Sequence, residues 1–487
     1  KDALCSAIEP PFIHVLAFGA TPSFLISCDQ DKPTRSTMLS STFLQVNTFF
    51  VLATCSIGWG TWGTTDHESG TEASIHKVRL KKQYVPVTKD NKTVAFKTAY
   101  FGNIKVGSPA QDFTVVFDTG SGHLVLPSQS CPSPACIKNR RYDPAKSSSA
   151  VLIEYDGVPI NPHQSQRDTV VVSYGTGKIT GEFVRDVVCV DEVHQNCMTL
   201  RSVLAVEMTD DPFVHFEFDG VMGLGLDALR LGPEFSFFGE MVKQSKGMQS
   251  QFSVFLARHD EEESFISFGG YDKERTISDM NWAPVAKPEL GYWQVTITEL
   301  RIGDTVLEEC ADGTCRAILD TGTSLLGVPR VASRSMHRLL ARVAPQSDDP
   351  TSIDCRRVPG HPIEFVIGDV TVSLPVEDYS RPAPINMTSP DTNSSSLVCR
   401  SLLLPLDMAA PIGPKVFIWG EPVLRRYLTV YDLAEKRVGF SLAKQREPVA
   451  DAHEAGTGSI GAPPAGTLVS GAPLPKSAPA SSEVTVL

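Results

Sequence analysis

The sequence predicts an all-β fold built from two similar lobes, with a few short helices. Between about residues 98 and 445, runs of β-branched and aromatic residues alternate with Gly, Pro, Asp and Ser, which is typical of short strands joined by turns. Helical spacing of apolar residues is clear only in Arg334–Ala344 and Phe235–Gln244. The motif Asp-Thr-Gly at Asp118–Gly120 recurs at Asp320–Gly322 in similar surroundings, which predicts two equivalent halves.

Length and charge narrow the classes of protein to consider. The chain has 487 residues, enough for two to four domains and a sizeable core. Its 44 Lys and Arg residues against 56 Asp and Glu give a formal net charge of −12. This balance argues against a broad basic face for nucleic acid or anionic lipid. We therefore expect no nucleic-acid partner.

The N-terminal extension, residues 1–65, contains a candidate signal peptide at about residues 38–63. Its apolar run, Phe49–Ile57, is shorter than the roughly 20 residues that a membrane span needs. We therefore favour a signal peptide over an uncleaved anchor at residues 43–63, which remains the alternative. At the other end, residues 446–487 are rich in Pro, Ala, Gly and Ser, a composition that predicts a disordered tail.

Cysteine usage favours an oxidising compartment. Eight of the 11 cysteines fall into four spaced pairs, Cys131/Cys136, Cys189/Cys197, Cys310/Cys315 and Cys355/Cys399. Zinc is the alternative for two C-x4-C pairs, but these lie far apart and no histidine cluster accompanies them. Three N-x-[ST] sequons, at Asn91, Asn386 and Asn393, are candidate glycosylation sites. Disulfides in a secretory route are the better interpretation.

The repeated Asp-Thr-Gly motif points to acid–base chemistry. One copy alone would be read as a turn after a strand, but two copies, each after an apolar strand and before a similar apolar-Pro sequence, are not explained as turns. Two carboxylates facing each other cannot both ionise at close range, so they share one proton. One then acts as a base on a water molecule while the other acts as an acid toward a scissile carbonyl.

With these motifs the chain resembles the pepsin-like, or cathepsin D-like, aspartic proteases of the A1 family. The resemblance runs from about Ala99 (AYFGNIKVGSPAQDFTVVFDTGS) to about Phe440 (TVYDLAEKRVGF). It implies a bilobal pepsin-like acid protease fold, with two pseudo-symmetric β lobes and a cleft between them. It also implies a division into a propeptide-like segment (66–98), an N-terminal lobe (99–285) and a C-terminal lobe (286–445).

The resemblance assigns roles to individual residues of this sequence. The catalytic pair is Asp118 and Asp320. Support for this pair comes from Thr119, Gly120, Ser121, Thr321, Gly322 and Thr323, and the substrate-binding flap contains Tyr174, Gly175 and Thr176. Three family disulfides correspond to Cys131–Cys136, Cys310–Cys315 and Cys355–Cys399, with Cys189–Cys197 as an additional bridge.

The sequence departs from the family pattern near the site. Gly122 stands where the family usually has Ser, and Val125 stands where it usually has the Trp that bonds the flap tyrosine. Trp419 is a large residue in the second apolar-apolar-Gly sequence. We expect a looser flap and an altered specificity, with the reaction unchanged.

The predicted function is aspartic endopeptidase activity on protein or peptide substrates, at acidic pH, without a cofactor or metal. The acidic sequence HDEEE at His259–Glu263 is interpreted as a solvated loop rather than a metal site. Two alternatives remain open: a processing maturase of narrow specificity and a non-catalytic peptide-binding homologue. We expect a monomeric glycoprotein, made as a zymogen, in a secreted or secretory/endolysosomal location.

Overall fold

A computed structural model describes residues 26–27, 75–89, 92–161, 167–174, 177–190, 196–349, 352–388 and 395–446. Strands dominate these residues, as the sequence predicts. In chain order the strands are β1 (Ile26–Ser27), β2 (His76–Lys89), β3 (Lys92–Val106), β4 (Gln111–Asp118), β5 (Leu124–Pro127), β6 (Val151–Ile153), β7 (Thr169–Tyr174), β8 (Gly177–Cys189), β9 (Cys197–Met208), β10 (Gly220–Gly223), β11 (Gln251–Phe255), β12 (Ser264–Phe268), β13 (Asn281–Pro284), β14 (Gln294–Thr296), β15 (Glu299–Ile302), β16 (Thr305–Val306), β17 (Arg316–Leu319), β18 (Leu326–Pro329), β19 (Arg342–Val343), β20 (Ile363–Ile367), β21 (Val370–Leu374), β22 (Ile385–Thr388), β23 (Ser395–Cys399), β24 (Leu403–Leu406), β25 (Val416–Trp419), β26 (Tyr427–Asp432) and β27 (Arg437–Leu442).

The helices of the described residues are short. The α-helices are α1 (Pro134–Lys138), α2 (Phe237–Gln244), α3 (Arg330–Leu340), α4 (Val376–Tyr379) and α5 (Glu421–Leu424). The 3₁₀ helices are Pro144–Lys146, Phe213–His215, Asp227–Leu229, Pro233–Phe235, Lys273–Arg275, Pro288–Leu290 and Glu308–Cys310.

Both helices predicted from the sequence exist, with shifted bounds. Helix α2 begins after Ser236, whose hydroxyl accepts a hydrogen bond from the Gly239 N–H and caps the first turn. Helix α3 begins at Arg330, four residues before the predicted start, directly after Pro329. It ends early because Arg342 and Val343 pair with β23 instead of continuing the helix.

Each Asp-Thr-Gly copy follows a strand in the same local arrangement. In the first half β4 lies parallel to β10, and β10 pairs antiparallel with β5. In the second half β17 lies parallel to β25, and β25 pairs antiparallel with β18. The repeat in the sequence is therefore a repeat in the strand arrangement, and each copy leaves its aspartate at the end of a buried strand.

A sheet shared by both halves joins them. Its order runs β1-β7-β8-β9-β5-β10-β4-β3-β2-β12-β11-β26-β27-β13, with β6 paired to β8, and β11 of the first half pairs with β26 of the second. The basic segment His76–Lys82 lies within β2, which pairs with β12 and then with β3. The second half adds sheets ordered β14-β17-β25-β18-β24, β16-β15-β20-β21 and β19-β23-β22.

Aromatic side chains from both halves pack together beneath the Asp-Thr-Gly loops. Phe252 of β11 stacks on Tyr431 of β26 with ring centroids 4.6 Å apart, and Trp293 meets Phe252 edge-on at 5.8 Å. The buried Trp293 indole N–H donates to the Leu224 carbonyl oxygen at 2.9 Å. This core holds the two halves, and with them the two loops, in one position.

Candidate active site

The two Asp-Thr-Gly loops are tied to each other by crossed hydrogen bonds. The Thr119 N–H donates to the Thr321 hydroxyl oxygen at 3.0 Å, and the Thr321 N–H donates to the Thr119 hydroxyl oxygen at 3.1 Å. Each hydroxyl in turn donates to the opposite half, Thr119 to the Leu319 carbonyl at 2.8 Å and Thr321 to the Phe117 carbonyl at 2.5 Å. Each threonine side chain therefore fixes the backbone of the other loop.

These loops bring the Asp118 and Asp320 carboxyls together in a buried position, where each is 1% exposed. The Gly120 N–H donates to Asp118 Oδ1 at 2.9 Å, and the Gly322 N–H donates to Asp320 Oδ1 at 2.8 Å. A Cβ atom on Gly322 would lie 2.7 Å from Asp118 Oδ1 and 3.2 Å from Asp320 Oδ1. Only glycine leaves room for both carboxyls here.

The outer carboxyl oxygens differ in their partners. The Thr323 hydroxyl donates to Asp320 Oδ2 at 2.6 Å. Within the described residues, Asp118 Oδ2 and the Ser121 hydroxyl make no hydrogen bond of standard geometry, although Ser121 is near enough to lower the Asp118 pKa. The Asp118 carboxyl therefore lies beside the Ser121 hydroxyl and the Asp320 carboxyl.

The pKa of each carboxyl is raised, and burial is the largest cause in both. Burial raises the pKa of Asp118, opposed by the Ser121 hydroxyl, the Gly120 N–H and the Asp320 carboxyl. The pKa of Asp320 is raised well above its usual range, first by burial and then by the charge of Asp118, against the bonds from Thr323 and Gly322. The pair therefore keeps one proton at pH values where an exposed carboxyl has lost it, and Asp320 is the favoured carrier.

Tyr174 ends strand β7 above this pair. Its ring is 2% exposed and meets Phe213 edge-on at 6.1 Å, while its hydroxyl has no hydrogen-bond partner among the described residues. Burial, and then the charge of Asp118, raise the pKa of Tyr174. The other two flap residues, Gly175 and Thr176, lie outside the described residues.

An apolar cleft adjoins the dyad. Asp118, Tyr174 and Gly322 line it together with Ala99, Val116, Phe213, Phe216, Phe218, Val221 and Thr321. A second apolar cavity lies behind it and includes Val125, which offers no donor to Tyr174. Phe213, Phe218 and Val221 line both spaces. The space beside Asp118 is therefore lined mainly by apolar side chains.

Sequence reasoning missed three features of the site. The signal for the aromatic wall was the presence of three phenylalanines, Phe213, Phe216 and Phe218, just before Asp219-Gly220. Ser324 accepts a hydrogen bond from the Thr98 N–H at 2.9 Å and donates to the Thr98 carbonyl at 2.7 Å, which fixes the chain beside Ala99. No local pattern predicts that contact between the two halves.

The third missed feature is His123, which directly follows Gly122. It is 1% exposed, and its Nε2 accepts a hydrogen bond from the Leu231 N–H at 3.0 Å. Burial, and then the charge of Arg230, lower the pKa of His123 to about 3. A Cβ at Gly122 would lie 2.0 Å from the Leu229 carbonyl oxygen, so glycine permits this close packing.

Trp419 is accommodated in the core of the second half. It is fully buried between Phe365, at 5.1 Å, and Phe440, at 6.1 Å between ring centroids. Its indole N–H has no hydrogen-bond partner among the described residues. Trp419 packs beside β18 and β17 rather than in the cleft.

The remaining predicted residues lie away from the dyad. The described residues form four disulfides, Cys131–Cys136, Cys189–Cys197, Cys310–Cys315 and Cys355–Cys399. Asn386 lies on β22 with an exposed side chain, while Asn91 and Asn393 fall outside the described residues, as do residues 28–74 and 447–487. In the part of the chain that is described, no group of three or more His, Cys, Asp or Glu is placed to hold a metal ion.

Two equivalent β halves that present one buried carboxyl each to a common cleft define an aspartic protease. The chain belongs to the eukaryotic aspartyl protease family, whose model matches residues 99–443. It is similar to cathepsin E of Rattus norvegicus, with 33% identity over 350 residues covering 71% of this chain and 80% of the relative. Gastricsin of Homo sapiens is 33% identical over 71% of this chain and 81% of its own length. Pepsin A of Gallus gallus is 31% identical over 70% and 84%.

These findings agree with the function predicted from the sequence. The protein is an aspartic endopeptidase, a hydrolase that acts on protein or peptide substrates. None of the helices in the described part of the chain has the length and hydropathy of a membrane-spanning segment.

Proposed function

We propose that Asp118 and Asp320 are the catalytic dyad of this endopeptidase and that it works at acidic pH. The observation that carries the proposal is the burial of both carboxyls at one point, with upward shifts of both pKa values. A dyad that keeps one proton has a base and an acid available together, which is the requirement of direct water attack on an amide.

In this mechanism the ionised Asp118 takes a proton from a water molecule as the water oxygen attacks the scissile carbonyl carbon. The protonated Asp320 donates a hydrogen bond to the carbonyl oxygen, where negative charge develops. The resulting tetrahedral intermediate collapses when the leaving nitrogen receives a proton from the dyad. The crossed hydrogen bonds between Thr119 and Thr321 hold the two carboxyls in position through these steps.

The apolar cleft supports a preference for bulky apolar residues at the cleaved bond. Phe213, Phe216 and Phe218 form most of one wall, and no charged side chain other than Asp118 lines it. Burying an apolar side chain there is favourable by about 1.5–3 kcal/mol. A substrate with a charged residue at the same position would lose that gain and leave its charge without a partner.

We also propose a secreted or secretory/endolysosomal location and a monomeric state. Four disulfides support an oxidising route of synthesis. Both carboxyls of the dyad belong to one chain, so the site needs no second copy.

The test is a cleavage profile of the purified full-length protein with a peptide library from acidic to neutral pH. We expect cleavage between apolar residues that is strongest in acid, and inhibition by a statine-type transition-state mimic. The Asp320→Asn variant is the control for contaminating proteases. A pure, folded protein that cleaves no library member would favour the peptide-binding alternative, and cleavage of a single narrow motif would favour the processing alternative.

A further inference from the structure

Tyr431 places a buried hydroxyl near the dyad, and the mechanism proposed for Asp118 and Asp320 does not use it. Tyr431 is fully buried on β26, where its ring stacks on Phe252 and meets Trp293 edge-on at 5.3 Å. It does not line the cleft beside the dyad. A phenylalanine would make the same ring contacts, so packing alone does not explain a polar atom at this position.

Trp293, which contacts the Tyr431 ring, connects the backbones of both catalytic loops. Its indole N–H donates to the Leu224 carbonyl at 2.9 Å, and the Leu224 N–H donates to the Asp118 carbonyl at 2.8 Å. The Trp293 carbonyl accepts from the N–H of Leu319, the last residue of β17, at 2.9 Å. The Tyr431 ring therefore packs against the side chain that joins the two loops.

The Tyr431 hydroxyl has a proton to donate and an acceptor within reach. The Thr429 hydroxyl donates to it at 3.3 Å, which is its one hydrogen bond of standard geometry among the described residues. Burial is the main cause that raises the pKa of Tyr431; the Thr429 hydroxyl lowers it, and the charge of Asp320 raises it further. The Thr119 side chain is near enough to lower the same pKa. A buried hydroxyl that only accepts would leave its own proton without a partner.

The Thr119 hydroxyl oxygen can accept one more hydrogen bond. A hydroxyl donates one hydrogen bond and accepts two. Thr119 donates to the Leu319 carbonyl at 2.8 Å and accepts from the Thr321 N–H at 3.1 Å. The Thr321 hydroxyl is 3.4 Å away, but the shorter bond to the Phe117 carbonyl, at 2.5 Å, takes its single proton. One lone pair of the Thr119 oxygen is therefore left for the Tyr431 O–H.

We propose that Tyr431 is a positioning residue of the dyad, whose O–H donates to the Thr119 hydroxyl oxygen and holds that side chain on its partners in the second loop. The proposal rests on the assignment of Asp118 and Asp320 as the dyad. Because Thr119 bonds the backbone on both sides of Asp320, loss of the Tyr431 bond should shift this carboxyl from its position in the transition state. Substrate binding should not change, since Tyr431 does not line the cleft.

The test is steady-state kinetics of the full-length protein on a cleaved peptide at acidic pH. Tyr431→Phe keeps the ring and removes the hydroxyl. We expect it to lower kcat by about two- to tenfold, the effect of one hydrogen bond, with KM within about twofold of wild type. Thr429→Val removes the hydroxyl that orients Tyr431 and should lower kcat less, by about twofold. Combined with Tyr431→Phe it should add nothing, because both variants act through the same bond.

The matched control is Tyr427→Phe on the same strand. The Tyr427 hydroxyl accepts from the Ser373 N–H at 2.8 Å and donates to the Ser373 carbonyl at 3.2 Å. Ser373 belongs to β21, which pairs with β20 and not with a strand that leads to the dyad. Tyr427→Phe should therefore lower the free energy of unfolding and leave kcat unchanged.

The outcomes separate this role from the dyad itself. An unchanged kcat in folded Tyr431→Phe, or equal losses of kcat in both tyrosine variants, would overturn the positioning role. If Tyr431→Phe fails to fold, an unchanged kcat in Thr429→Val overturns it. Cleavage that persists in Asp320→Asn would contradict the dyad and this role together. Cleavage lost in Asp320→Asn, with kcat unchanged in Tyr431→Phe, would overturn this role alone.

Discussion

Val125 is a small side chain beside a flap tyrosine whose hydroxyl has no described partner. Val125 is 2% exposed and lines an apolar cavity that shares Phe213 and Val221 with the substrate cleft. Tyr174 is buried and its ring is held by Phe213 alone among the aromatic contacts of the described residues. The Ser121 hydroxyl is near enough to lower the pKa of Tyr174, but Val125 supplies no polar anchor to the flap.

A Val125→Trp substitution should tighten the flap. The indole ring is larger than the space beside Val125, so Phe213 and Val221 must move to admit it. The indole N–H then gives the Tyr174 hydroxyl a hydrogen-bond donor, a bond worth about 0.5–1.5 kcal/mol. We expect the inhibition constant of a statine-type inhibitor to fall by about two- to tenfold. Val125→Phe fills the same space without a donor, so an equal gain with Phe would show that packing, not the hydrogen bond, was missing.

His123 should limit stability in acid. Its pKa is about 3 in the folded protein against an ordinary value of 6.5, so between these values the unfolded chain binds a proton that the folded one does not. The neutral His123 therefore makes its full contribution to the free energy of unfolding above about pH 6.5, and this contribution falls as the pH drops toward 3. By pH 5 the loss is about 2 kcal/mol.

The His123→Gln variant tests this limit by urea unfolding at neutral pH and at pH 5. Glutamine can still accept the Leu231 N–H but cannot take up a proton, so the acid-dependent loss should shrink. His215→Gln is the matched control, because the His215 side chain is 60% exposed. An undiminished acid loss in His123→Gln would contradict the assignment.

At the scale of elements, ion pairs of Lys82 hold strand β2 against Asp260 and Glu421. The Lys82 ammonium lies 3.4 Å from Asp260 Oδ1 and 4.0 Å from Glu421 Oε1, and its side chain is only 12% exposed. Glu421 also accepts a hydrogen bond from the Tyr100 hydroxyl at 2.7 Å.

We expect Lys82→Gln to lower the free energy of unfolding by about 1–3 kcal/mol. Lys81→Gln, on the exposed neighbouring position, should stay within about 0.5 kcal/mol of wild type in the same urea titration.

The position of β2 also predicts weak self-inhibition. The basic segment His76–Lys82 lies in the propeptide-like segment 66–98, yet Lys82 pairs with Asp260 and Glu421 rather than with the dyad. We expect the full-length chain to cleave a peptide substrate without prior removal of residues 66–98. Electrophoresis of the reaction mixture at early times would check this. A stable full-length form that is inactive until it is cut would contradict it.

The sequence predicts the elements best where the pattern is local. The strand of DFTVVFD follows from its short, nearly continuous apolar run, and helix α2 follows from its apolar spacing. The run YWQVTITELRI at 292–302 has the composition of one strand, but it forms β14 and β15, because the two segments pair with different strands, β17 and β20. The early end of α3 has the same cause, since its pairing partner, β23, is far away in the sequence. Periodicity carries no information about such partners.

At the scale of the whole molecule, the repeated Asp-Thr-Gly motif predicts the active site because the two halves contact each other at these two loops. Two similar motifs predict two similar loops, and the resemblance adds that Thr119 and Thr321 join them, as the crossed bonds in the structure now show in detail. Contacts without a repeated pattern could not be predicted, such as Ser324 with Thr98 or His123 with Leu231. Both depend on which segments the tertiary fold places side by side.

We expect the two halves to act as one catalytic unit. Asp118→Asn and Asp320→Asn should each lower the cleavage rate by at least about 10²-fold, because an amide can neither take a proton from water nor supply the shared acid proton. Removing both carboxyls should cost little more than removing one. The wild-type rate should follow a bell-shaped pH profile whose two limbs belong to the dyad.

Stability measurements separate this role from a folding defect. Because the pKa values of Asp118 and Asp320 are raised in the folded protein, the folded state binds more protons than the unfolded one as the pH rises above the ordinary carboxyl range. The wild type should therefore lose stability as the pH rises through the dyad's titration. Each Asn variant should lose less, because a neutral amide replaces a buried carboxyl that must otherwise ionise. Urea unfolding at several pH values measures this loss of stability. A variant that is inactive, unfolds cooperatively and loses less stability with rising pH than the wild type has kept its fold and lost the catalytic chemistry. Retained cleavage by either folded variant would refute the dyad.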